Sequence, residues 1–216
     1  MSIFTLYQVL LDIVKMGGYI FQTLQRQLID CFNMPHTKPI YSRISWPVVW
    51  AVFIVSNVVF ATIILWSLPQ LSQIANGLSM FDTRPSGYSL IQAQSIIDGL
   101  GKIGVEFYLG TQLWLDFFYP AMFAIAFALF IAKLLQAYQL PNWFKFCLLI
   151  APFLTAVFDY SENHYIALML QSDLPLTAQL VAMASFATML KSIASTITQV
   201  TWLVLLIIFL IQKFRK

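Results

Sequence analysis

Four long apolar runs organise the chain. They cover about residues 46–68, 105–135, 142–170 and 175–211. A bilayer crossing takes about 20 predominantly apolar residues, so each run is long enough to span. Trp46-Pro47 opens the first and Pro69 is expected to close it. Proline at a first helical turn is tolerated because its missing N–H would be unsatisfied there anyway. Pro141 precedes the third run. The last three runs exceed the minimum and must tilt or project beyond the hydrocarbon.

The polar positions between and before these runs follow their own pattern. In residues 1–45, Gln8, Asp12, Lys15, Gln22, Arg26, Asp30 and Asn33 recur at helical spacing and form one stripe on an otherwise apolar helix. Such a helix lies in a membrane interface, or it packs on the other helices or on a partner protein; the pattern fits both. Gly17-Gly18 is expected to bend it. Residues 69–104 form the one long loop. Its Met80–Tyr88 stretch is rich in turn residues. Ser89 and Gln92 then match a capping box, opening a short helix that Gly99 and Gly101 should end. The expected architecture is all-α: a four-transmembrane-helix bundle, with an amphipathic interfacial helix before it.

Composition strengthens the membrane reading. Of 216 residues, 60% are hydrophobic and 10% charged. Soluble proteins carry about 25% charged residues. Charge also sets the expected orientation. Lys15, Arg26, Lys38, Arg43, Lys133, Lys145, Lys213, Arg215 and Lys216 make nine of the twelve basic residues, all on the side of the termini. The positive-inside bias places both termini in the cytoplasm, in a cell or inner membrane. Acidic residues sort the other way: Asp82, Asp98, Glu106, Asp116, Asp159, Glu162 and Asp173 fall toward the outer side. Cys31 and Cys147 lack metal-ligand spacing and read as free thiols.

Ionisable side chains inside spans cost at least about 2.5 kcal/mol each at mid-membrane and mark function by default. At about 1.5 Å of rise per residue, Asp159 lies about 25 Å, Asp116 about 29 Å, and Glu162 and Lys191 about 30 Å from the cytoplasmic helix ends. Three helices thus carry ionisable groups just under the outer interface. Their phases agree. Thr155, Asp159, Glu162 and Asn163 share one face; so do Tyr108, Gln112, Asp116 and Tyr119, and so do Thr188, Lys191, Ser195, Thr198 and Gln199. His164 falls at the edge of the first stripe. One lysine does not balance three carboxylates. Either a carboxyl keeps its proton, or a cation, a substrate or Arg84 supplies charge. A structural ion-pair network is the competing explanation. Asp82 and Arg84 read as a local loop clamp, and Lys102 with Glu106 as a surface pair.

Several chemistries are excluded. His36 and His164 stand on opposite sides, so a three-histidine zinc site cannot form. No nucleophile elbow and no phosphate-binding loop occurs. The basic aromatic surface that nucleic acid requires is missing.

The segments FDTRPSGY, LGKIGVEFY, LDFFYP and FDYSEN, between Phe81 and Asn163, resemble a pattern in a family of small four-helix integral membrane proteins. The resemblance rests on Asp82, Arg84, Gly87, Tyr88, Gly101, Gly104, Tyr108, Asp116, Pro120, Asp159, Glu162 and Asn163. It implies a fold and no activity.

The expected function is binding of a lipid or isoprenoid-like amphiphile in a pocket open to the outer interface. Asp116, Asp159 and Glu162 would carry any acid–base chemistry. Asn163, His164, Lys191, Arg84, Tyr88, Tyr108 and Gln112 would contact the ligand. A divalent cation, if bound, would sit on Asp116, Asp159 and Glu162. The alternatives are an assembly subunit with a buried ionic lock, docked on a partner or a second copy through the N-terminal helix, and an oligomeric transporter or channel.

Overall fold

The computed structural model describes residues 45–171 and 175–215. The N-terminal amphipathic segment, Cys31, His36 and Asp173 lie outside the described residues. Within them the chain is all-helical, with no strand. Helix α1 is Trp46–Thr62; a π-helical turn, Ile63–Ser67, joins it to α2, Leu68–Ile74. Helix α3 is Leu90–Phe107; a second π-helical turn, Tyr108–Gln112, leads into α4, Leu113–Leu135. Helices α5, Asn142–Leu170, and α6, Ala178–Phe214, complete the bundle. Among the described residues, four helical stretches are long and apolar enough to cross a membrane: Trp46–Ile74, Leu90–Leu135, Asn142–Leu170 and Ala178–Phe214.

The first rod does not stop at Pro69. It continues to Ile74, because Pro69 sits in the first turn after the π-helical turn. There Leu68 N–H already bonds Ile63 O, five residues back. The widened turn absorbs the missing proline N–H and relieves the ring clash that would break a regular helix. The short helix after the loop begins as its sequence requires. Ser89 accepts from Gln92 N–H at 3.3 Å, and Gln92 Oε1 accepts from Ser89 N–H at 2.8 Å. Gly101 then breaks α3 with φ 53° and ψ −166°. The amphipathic piece before it and the span after it are therefore separate helices.

The rods pack in the order α1, α4, α5, α6, with α4 also touching α6. Between α1 and α6 lies a seam. At the end near Trp46 aromatic rings fill it: Trp46 meets Phe209 at 5.6 Å, and Phe53 stacks on Trp202 at 5.1 Å. Phe130, fully buried, packs under both. At the opposite end a second apolar cluster gathers Phe81, Met80, Leu71, Ile96 and Ile166. The loop is docked there. Tyr88 N–H donates to Ser185 Oγ at 2.8 Å, and a Cβ on Gly87 (φ 80°) would stand 2.4 Å from that same Oγ. The loop thus seats only with glycine at this position.

Candidate functional site

Between the two apolar clusters the polar stripes of α4, α5 and α6 meet. Lys191 Nζ lies 2.6 Å from Glu162 Oε2, 3.0 Å from Asp159 Oδ1 and 3.5 Å from Asp82 Oδ1. Thr188 donates to Glu162 Oε1 at 2.5 Å. Asn163 Nδ2 donates to Asp159 Oδ1 at 3.3 Å and to the Asp116 carbonyl at 3.4 Å, tying α5 to α4. Gln112 Nε2 donates to Asp116 Oδ2 at 2.7 Å. Asp116, Asp159 and Glu162 are all under 5% exposed. Asp116 has no cationic partner within 4.0 Å among the described residues.

Asp82 is a correction to the sequence reading. It does not clamp Arg84. Its carboxylate reaches down to Lys191 and accepts the Tyr108 hydroxyl, while Arg84 Nε donates to Ser79 O within the loop. The 3₁₀ turn Phe81–Thr83 makes this possible. Phe81 buries into the apolar cluster, and Asp82, the next residue, points into the bundle.

A cavity of about 180 Å³ adjoins these groups. Asp82, Asp116, Asp159 and Lys191 give it a charged wall; Thr155, Ser192, Ser195 and Gln199 add hydroxyls and an amide. Phe60, Ile63, Ile64, Leu68, Tyr119 and Phe123 make the apolar wall. Phe81 is fully buried in the apolar cluster, and from the loop only its neighbour Asp82 lines the cavity. Its exposed rim is Phe60 and Ile64 on the first rod and Gln199 on α6, so it opens sideways through the seam. Glu162 lies behind the wall, held by Lys191 and Thr188.

The remaining candidates divide. Gln112 and Tyr108 are fully buried and support Asp116 and Asp82. Tyr88, buried under the loop, sits beside the cluster. Burial pushes its phenol above the usual range, and the charges on Glu162 and Asp82 push the same way. His164 is exposed, its ring against Tyr165 at 5.6 Å, and faces away. Arg84 stays in the loop. Lys102 and Glu106 form the exposed surface pair, 4.0 Å apart. No group of three His, Cys, Asp or Glu among the described residues is arranged to hold a metal ion. The Lys191 ammonium occupies the position between the carboxylates.

Among the described residues, five buried polar atoms around the site make no hydrogen bond: Ser67 Oγ, Tyr88 OH, Gln112 Oε1, Asn163 Oδ1 and Asp82 Oδ1, the last having only its ion pair with Lys191. Orphans of this kind are rare in folded proteins and call for an explanation. Compared with models of known families, with curated proteins and with solved structures, the chain matches none. The four long apolar helices agree with the family resemblance at the level of architecture alone.

Proposed function

We propose that this is an integral membrane protein, with both termini cytoplasmic, that binds the polar head of an amphiphile in the cavity beside Asp116. One observation carries the reading: a cavity walled by carboxylates opens on the seam between α1 and α6, where a spanning bundle meets lipid. A polar cavity facing hydrocarbon is costly unless something with a matching head and an apolar tail fills it. The volume supports a head and no more. About 180 Å³ lies below the roughly 300–1,000 Å³ of pockets that enclose a drug-sized ligand, so the tail would stay in the bilayer. Acid–base processing of the bound molecule would fall to Asp116, the carboxylate not engaged by Lys191.

Native mass spectrometry of the purified full chain tests this. The expected result is a retained amphiphile that Ser195→Trp, which fills the seam, removes without loss of helicity. Wild-type protein carrying no amphiphile under any mild extraction overturns the reading. The ionic lock remains the second reading, favoured by the saturation of Lys191.

A further inference from the structure

We propose that the cavity selects a positively charged head, an alkyl ammonium, and rejects anionic heads. This inference rests on the reading of the cavity as an amphiphile site and adds its charge class. Three carboxylates, Asp82, Asp116 and Asp159, line the cavity. The one ammonium there among the described residues is already committed, at 2.6 Å to Glu162, 3.0 Å to Asp159 and 3.5 Å to Asp82. Asp116 is 4% exposed and has no cationic partner within 4.0 Å among the described residues. Asp82 Oδ1 is buried, accepts no hydrogen bond, and has only its 3.5 Å ion pair with Lys191 among the described residues. Buried carboxylate oxygens without donors are expensive, and an ammonium brings both charge and three N–H donors.

The rest of the wall agrees. A phosphate head would need arginine forks or helix N-termini. Among the described residues no arginine lines the cavity, and Arg84 is turned to Ser79. Behind the rim residue Phe60, Tyr119 stacks on it at 5.3 Å, and the buried Phe123 meets Tyr119 at 5.9 Å. Aromatic faces beside an opening attract cations and not anions.

The test titrates the full chain, in a neutral detergent, with dodecylamine, dodecyl phosphate, dodecanol and free ethylamine, read by native mass spectrometry and thermal shift. Dodecylamine is expected to bind at least about tenfold tighter than the other three, as a buried charge pair allows. Asp116→Asn should erase that preference, with circular dichroism unchanged. Phe60→Ala, which alters no charge, should weaken dodecylamine alone and serves if Asp116→Asn does not fold. Equal binding of dodecanol, preference for the phosphate, or dodecylamine binding unchanged in both variants overturns the charge class. Dodecanol binding as tightly as the amine leaves the amphiphile reading standing; no binding of any chain removes both. Ethylamine matching dodecylamine supports the ammonium and overturns the amphiphile.

Discussion

Lys191 holds three acidic side chains, two from α5 and one from the loop, and it is itself only 20% exposed. Removing one partner of a buried ionic cluster is far costlier than the cluster's net contribution, because the remaining charges lose their compensation. Lys191→Met is therefore expected to destabilise the protein by about 3 kcal/mol, measured by thermal melting in detergent. Adding Glu162→Gln should restore part of the loss, since it removes the charge left unpaired. A Lys191→Met protein that melts with the wild type would dismiss the ionic lock. At this scale the sequence was informative where helices carry the residues. Rise and phase alone gather Asp116, Asp159, Glu162, Asn163, Lys191 and Gln112, because a helix fixes both. Asp82 and Tyr88 escaped that logic. They sit in a loop, where no period relates position to depth, and Phe81, which drives Asp82 inward, looks like any loop aromatic.

Two elements decide how the stripes are aimed. The π-helical turns Ile63–Ser67 and Tyr108–Gln112 touch each other at the level of the cavity. Each widens its helix locally, a feature frequent at functional sites. Neither segment announces this in its sequence, since a π turn has no capping residue or fixed motif. The break at Gly101 is legible, given the Ser89–Gln92 box that opens the same helix. Its φ 53° and ψ −166° lie where essentially only glycine is found. Nothing stands within 4 Å of a Cβ there, so substitution would cost backbone strain alone. Gly101→Ala should lower stability by about 1–3 kcal/mol. Gly110→Ala, equally uncrowded and without a positive φ, is the control and should be neutral. Equal thermal midpoints for the two would mean that the short helix and the span form one continuous rod.

For the molecule as a whole, the number and order of the long helices followed from apolar run length, while their lateral arrangement did not, because lipid-facing and core-facing apolar residues look alike in sequence. The proposed orientation is testable by accessibility. Ala137, in the exposed turn before α5, and Ser86, in the loop, stand at opposite ends. In a chain with Cys31→Ser and Cys147→Ser, a membrane-impermeant maleimide on intact cells should label Ser86→Cys and spare Ala137→Cys. The reverse pattern would invert the topology. The aromatic fill beneath the cavity has a further consequence. Phe53, Phe123, Phe127, Phe130 and Trp202 touch in a continuous cluster on one side, and on the other the loop is docked on α6 through Tyr88 and Ser185. Among the described residues, the exposed part of the cavity lining is Phe60, Ile64 and Gln199, all on the seam between α1 and α6. Under the proposed reading, a bound head would therefore enter and leave beside Phe60, Ile64 and Gln199, in contact with whatever surrounds that seam.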